Sequence, residues 1–245
     1  MAKIDLSGTW SLSCGKLGFE PIPARIPGEN CSALIDAGLA ADPYVGFNEN
    51  EIQWVREYDW TWSRKFEVGE DFLDQKRIWL NIDSLDTVGE IRINGRTVVS
   101  SRNMFCRIRA EVKDFLHAGE NTIEAVISAV EKYGASEAAK FPLKIGNGIG
   151  LRRMTNLNLV RKIQCQGGWD WGPCIPVSGM YGEICLEGSN GVRIEHVYTR
   201  QTHRSGACTL EVTVEIDSAF DGVQNIDFIL FGFNTPTLGS ALKNN

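Results

Sequence analysis

Hydrophobic and polar positions alternate with a period of two along most of the chain, the pattern of strands that bury one face. Residues 77–83, Arg-Ile-Trp-Leu-Asn-Ile-Asp, predict one strand. Residues 90–93 alternate up to Asn94-Gly95, a pair that favours a tight hairpin turn, and 97–99 return. Further strands are predicted over 107–112, over 121–127 after the Ala118-Gly119-Glu120 turn, and over 183–187. Short strands at turn-punctuated spacing make an all-β sandwich the expected fold class. One helix is expected from Cys31 to Ala40, where Leu34, Ala37 and Leu39 form an apolar stripe that ends near Asp42-Pro43. The even spacing of Trp54, Tyr58, Trp60 and Trp62 places them on one strand face, where packing between two sheets is their expected role.

The alternation is interrupted at 187–191, Glu-Gly-Ser-Asn-Gly, and resumes at Val192. A boundary there gives domains 1–188 and 189–245. The second holds three predicted strands, 192–200, 208–216 and 225–233, against the seven of an immunoglobulin-like sandwich, so it reads as cut short. Residues 235–245 read as loop or tail. Open edges on such a remnant predict edge-strand self-association.

Composition narrows the function. The 245 residues, 43% hydrophobic, suffice for a sizeable core. With 25 Lys+Arg against 31 Asp+Glu the net charge is −6, so no basic field is available for nucleic acid or acidic membrane. No apolar run approaches the roughly 18 residues of a membrane span, and residues 1–5 lack a signal peptide's apolar stretch. A cytoplasmic chain, or one with its leader trimmed, is expected. Seven cysteines, never in a Cys-x-x-Cys pair, read as small buried thiols. His117, His196 and His203 provide little material for a metal site or a Ser-His-Asp triad, so no metal or cofactor is expected. Asn30-Cys31-Ser32 fits the glycosylation pattern and is expected to be silent.

The densest unusual segment is 167–173, Gly-Gly-Trp-Asp-Trp-Gly-Pro. Carbohydrate recognition uses such chemistry: an indole covers the apolar face of a pyranose, and a carboxylate accepts from neighbouring hydroxyls. Equally open is a structural role, with Trp169 and Trp171 as core anchors and Asp170 capping a turn. Arg161 and Lys162, just upstream, could orient the carboxylate or bind a hydroxyl, although a solvated strand edge suits Lys162 better. Asn103-Met104-Phe105 suggests only packing.

Several segments together carry a resemblance. They are Ile26-Pro27-Gly28, Ser32-Ala33-Leu34, Ala37-Gly38, Asp42-Pro43-Tyr44, Asn48-Glu49, residues 54–60, Asn103-Met104-Phe105, Gly119-Glu120-Asn121, Val160-Arg161-Lys162 and residues 168–173. In order and spacing, over about residues 4–188, they resemble the N-terminal sugar-binding domain of β-mannosidases of glycoside hydrolase family 2. The resemblance implies a jelly-roll (galactose-binding-like) domain, then an immunoglobulin-like domain, then a (β/α)-barrel holding both catalytic glutamates. It implies that Asp170 binds hydroxyls at the far edge of the mannose and that Trp169 closes the pocket wall. Trp171, Arg161 and Lys162 complete the candidate substrate-binding set, with either cation able to touch ligand. Departures are Asn30-Cys31, where relatives often carry histidine, and Cys165-Gln166-Gly167 in place of bulkier residues.

The expected function is that of a non-catalytic sugar-binding fragment. Its ligands would be β-mannosides or manno-oligosaccharides, and its partner the missing catalytic barrel of the same polypeptide. The parent would hydrolyse terminal β-mannosyl residues with retention, which takes two carboxyls about 5–5.5 Å apart. This chain offers no second carboxyl opposite Asp170, so alone it is expected to hydrolyse nothing. Asn48-Glu49 reproduces the clan's acid/base pair but lies far ahead of any barrel, so no catalytic residue is assigned. Two alternatives are a stand-alone lectin-like module using Trp169, Asp170 and Trp171, and a structural domain whose tryptophans are all core.

Overall fold

The computed structural model describes residues 2–143, 146, 154–231 and 236–243, and it divides into two compact units, Met1–Gly188 and Ser189–Asn245. In the first unit the strands are β1 (Ala2–Asp5), β2 (Gly8–Ser13), β3 (Ile22–Ile26), β4 (Gly28–Glu29), β5 (Trp60–Val68), β6 (Arg77–Asp86), β7 (Gly89–Ile93), β8 (Arg96–Ser101), β9 (Ile108–Glu111), β10 (Gly119–Ile127) and β11 (Gly179–Ser189). Helices α1 (Asn30–Asp36), α2 (Asn48–Glu51), α3 (Glu70–Leu73) and α4 (Val130–Ala138) lie between them. One sheet runs β3-β2-β5-β10-β7-β8, the other β1-β11-β6-β9 with β4 added to β11.

The period-two pattern becomes the core because each sheet turns its apolar positions inward. Trp10, Leu12, Trp60, Trp62, Ile91, Ile93, Ile123, Ala125 and Ile127 of one sheet join Ile78, Leu80, Ile82, Ile108, Ile184 and Leu186 of the other in one buried cluster. Two tryptophans satisfy their indoles locally, Trp10 Nε1 donating to Leu6 O at 2.8 Å and Trp60 Nε1 to Val55 O at 3.0 Å. The expected hairpin is β7–β8, with Asn94 at φ 50° and Gly95 at φ 75°, both positive as its two-residue turn requires.

Several expectations change. The helix starts at Asn30, capped by Glu29, whose carboxylate accepts from the Cys31 and Ser32 amides, and it ends at Asp36. Gly38, at φ 70°, closes it: Leu39 N–H reaches Leu34 O at 2.8 Å and Gly38 N–H reaches Ile35 O at 2.9 Å, so Leu39 leaves the stripe and is exposed. Trp54 and Tyr58 lie outside the strand, because Ile52–Glu57 is a 3₁₀ turn that buries Ile52 and Val55, three apart, on one face. Core packing still holds them, with Trp54 edge-on to Tyr58 at 6.2 Å and tilted to Trp60 at 6.1 Å. The cysteines divide, with Cys14, Cys31, Cys174 and Cys185 buried and Cys106, Cys165 and Cys208 exposed. Asn30 is fully buried, its amide paired with Ser178 in both directions at 3.0 and 2.9 Å, so the folded domain leaves no room for a glycan on it.

The second unit contains two hairpins among its described residues, β12 (Val192–Arg204) with β13 (Ala207–Ser218) and β14 (Gln224–Phe231) with β15 (Pro236–Lys243). β15 replaces the expected tail: its Pro, Gly and Ala are poor strand formers, but Pro236 sits at the strand's first position, where its missing N–H is tolerated, and the ladder satisfies the rest. Opposite pairs Ile194/Ile216 and Val197/Val214 put an apolar stripe on one face of β12–β13, and Ile194 and Val197 are each 56% exposed. No helix among the described residues is long and apolar enough to cross a membrane.

A two-stranded ribbon with an uncovered apolar face opens locally far more easily than a central strand. Amides of β12 and β13 are therefore expected to exchange with deuterium at least about 100-fold faster than those of β5 and β10. Equal protection of both units in a monomeric sample would contradict this.

Candidate functional site

Residues 167–174 form a small hairpin. Gly167 pairs with Cys174 as an antiparallel bridge, and Trp169 and Gly172 exchange backbone hydrogen bonds at 3.1 and 3.4 Å, so Asp170 and Trp171 are its two tip residues. Two glycines make this geometry possible. Gly168 takes φ 91°, and a Cβ on Gly167 would come within 2.7 Å of Leu157 Cδ2. Asp170 is exposed, Trp169 half-buried, and Trp171 82% exposed, so Trp171 is not a core anchor. Beneath the hairpin, Met154, Leu157, Val160 and Cys174 form a satellite core covered by Val88, Val130 and Tyr133.

The upstream cations part company. Arg161 is exposed, and its backbone lies in a parallel bridge with Asn103, with Met104 N–H donating to Arg161 O at 3.1 Å. Lys162 is the opposite of a solvated edge: only 2% exposed, its Nζ donates to Asp86 Oδ1 at 2.6 Å, to Asp86 Oδ2, and to Val177 O at 2.8 Å. With its three protons so directed, the ammonium spans from the end of β6 to the chain just after the hairpin. Asp86 also accepts from Thr87 Oγ1 and, at 3.4 Å, from the Tyr181 hydroxyl. Burial pulls Lys162 below the ordinary lysine pKa while Asp86 pulls it back, and burial, reinforced by the Asp86 charge, pushes Tyr181 up. Met104 is buried, as a packing role requires, and it also accepts Ile163 N–H on its sulfur at 3.2 Å and Ser84 Oγ–H on its carbonyl at 2.7 Å.

An open, mainly apolar pocket of about 400 Å³ lies between α1, residues 42–44 and the hairpin. Ile35, Pro43, Tyr44, Cys165, Trp169 and Trp171 are among its lining residues, and Asp170 is not. Thus the structure gathers Trp169, Asp170 and Trp171 in one projecting element and leaves Arg161 exposed upstream of it. Lys162 it commits to a buried ion pair. Glu49, set aside above, receives the Cys174 N–H at 2.8 Å on Oε1, and Gln53 Nε2 donates to Cys174 O at 2.8 Å. Sequence reasoning missed both contacts, since nothing local links positions 49 and 174. Among the described residues there is no group of three or more His, Cys, Asp or Glu able to hold a metal ion.

The model of the family described as glycosyl hydrolase 2 galactose-binding domain-like matches residues 10–182. The chain is similar to a β-mannosidase of Rattus norvegicus, 29% identical over 89% of this chain and 25% of that protein. It is similar also to β-mannosidase B of Aspergillus fumigatus, 30% identical over 94% of this chain and 28% of that protein. The crystal structure of a β-D-mannosidase from Dictyoglomus thermophilum superposes with a TM-score of 0.83 at 30% identity, covering 100% of this chain and 30% of that one. An exo-chitosanase from Amycolatopsis orientalis, at 14% identity and a TM-score of 0.61, shares the fold. The chain spans about a quarter of the length of the curated relatives it matches.

Removing one partner of a buried pair strands the other charge. Lys162→Met is expected to cost about 3–5 kcal/mol in urea unfolding, with much of the loss regained in Lys162→Met/Asp86→Leu. A loss under about 1 kcal/mol in the single variant would show that the pair does not hold this segment.

Proposed function

We infer that this chain, which belongs to the glycosyl hydrolase 2 galactose-binding domain-like family, is the N-terminal sugar-binding part of a β-mannosidase that recognises the terminal sugar through its Trp-Asp-Trp hairpin. One observation carries the inference: a carboxylate and an indole stand exposed at the tip of a hairpin built on a satellite core, with a second indole half-buried beside them. An indole 82% exposed wastes apolar surface unless something covers it. A pyranose offers both an apolar face for stacking and hydroxyls for the carboxylate.

In this reading Asp170 accepts from hydroxyls at the far edge of a terminal mannose, Trp169 forms the adjoining wall, and Arg161 is the cation left to face ligand. Lys162 acts from behind, by holding the segment. The parent performs retaining exo-hydrolysis with two glutamates on a barrel that follows in the same polypeptide, and this chain shapes the subsite without catalysing. Residues 189–245 then begin an immunoglobulin-like sandwich. The apolar stripe of β12–β13 supports that assignment, because later strands, or the edge of a second copy, would cover it.

One wall of a subsite binds weakly. Affinity of the chain for methyl β-mannoside is expected at roughly millimolar or weaker. Asp170→Ala should weaken it about tenfold while leaving the melting temperature within about 1 °C, since the exposed carboxylate supports no core contact. In a polypeptide that carries the barrel, the same substitution should lower kcat/KM at least about tenfold, the loss of one charge-assisted hydrogen bond. Unfolding of the chain with unaltered kinetics of the longer protein would make Asp170 a structural cap and overturn the reading.

A further inference from the structure

The Asn48-Glu49 pair is a sequence feature that the proposed function leaves unused, and its contacts give it a task. Glu49 Oε1 accepts the Cys174 N–H at 2.8 Å, and Gln53 Nε2 donates to Cys174 O at 2.8 Å and to Glu49 O at 2.7 Å. Both peptide groups of one residue are thus gripped from the 48–57 segment. The grip is itself oriented: Arg56 Nη1 donates to Gln53 Oε1 at 2.8 Å, which leaves the amide nitrogen for the two carbonyls, and Arg56 Nε lies 3.3 Å from Glu131 of α4. Asn48 points away, its amide on Asp42 O at 3.0 Å.

Cys174 is the residue at which this grip matters most. It pairs with Gly167 at the base of the hairpin, and above that base the legs contain Gly168, Gly172 and Pro173. Glycine legs have little stiffness of their own, and Pro173 has no N–H with which to extend the ladder. Where Asp170 and Trp171 point therefore depends on how the base is held from outside the hairpin as well as on the Trp169–Gly172 pair.

We propose that Glu49 and Gln53 are positioning residues for Asp170, acting through the backbone of Cys174. The functional half of this proposal rests on the sugar-binding reading above; the mechanical half does not. A charge-assisted acceptor on a backbone N–H is among the stronger hydrogen bonds available, and glutamine at position 49 keeps a carbonyl oxygen there without the charge. Glu49→Ala removes the acceptor, and Gln53→Ala removes the donor independently.

The test measures hydrogen exchange, melting temperature and methyl β-mannoside affinity on the 245-residue chain and its variants. In Glu49→Ala the Cys174, Gly172 and Trp169 amides should exchange at least about tenfold faster, with β5 and β10 unchanged. Glu49→Gln should restore most of the protection. Affinity should fall in Glu49→Ala and recover in Glu49→Gln, and the double variant Glu49→Ala/Asp170→Ala should bind no more weakly than Asp170→Ala alone. A merely structural role would lower the melting temperature without that non-additivity. Unchanged exchange in both Glu49→Ala and Gln53→Ala overturns the proposal, as does equal weakening in Glu49→Ala and Glu49→Gln. Should the unsubstituted chain not bind the sugar, the sugar-binding reading falls, and exchange at the three amides alone upholds or overturns the clamp.

Discussion

The buried pair of Lys162 and Asp86 is the constraint on which the candidate site depends. Asp86 ends β6, inside the sandwich, and its carboxylate is fully buried. Lys162 comes from the strandless segment before the hairpin and donates at 2.8 Å to Val177 O in the segment after it. One ammonium thus closes the loop that carries Trp169, Asp170 and Trp171 and binds it to a core strand. Taking both charges out of water costs several kcal/mol per ion and is tolerable only when nearly every donor and acceptor is satisfied, as the contacts from Thr87, Tyr181 and Val177 achieve. Apolar residues could hold the chain as firmly. A charge pair specifies a single register, because any slip leaves a buried charge alone.

From this anchor outward, stiffness is handed along in steps. Gln164 donates to Leu157 O, Val160 O and Lys162 O at 2.9, 3.3 and 3.0 Å and so folds the upstream leg on itself. The satellite core of Met154, Leu157, Val160 and Cys174 fills the space below. Glu49 and Gln53 grip the downstream leg. The tip is left exposed, and it carries the carboxylate and the indole. On the proposed reading, that division is what a subsite wall requires: groups fixed in direction by buried contacts and left unsatisfied until ligand arrives.

Features governed by local rules were legible in the chain. The β7–β8 hairpin follows from Asn94-Gly95, and the buried faces of β6 and β10 follow from strict alternation. Trp54 misled because aromatic residues at even spacing suggest a strand, whereas the 3₁₀ turn is written in the three-residue spacing of Ile52 and Val55. β15 was hidden by its composition, since its strand character comes from pairing with β14. Lys162 and Glu49 were illegible for a different reason. A lysine beside an arginine reads as solvated, and its burial depends on Asp86, 76 positions away. Glu49 finds its partner 125 positions away. Contacts of that span belong to topology: Lys162 drew attention only as a cation just upstream of the Trp-Asp-Trp segment, and Glu49 only through the resemblance to β-mannosidases.

On the proposed reading, ligand meets this domain at the hairpin tip. Amide and indole ¹H–¹⁵N spectra of the labelled chain, titrated with methyl β-mannoside to roughly 50 mM, test it directly. The largest shifts are expected on the Trp169 and Trp171 indole N–H groups and on the backbone of residues 168–172. Shifts confined instead to the groove on the six-stranded sheet, at Thr9, Ser11, Ser63 and Thr122, or no shifts at all, would rule it out.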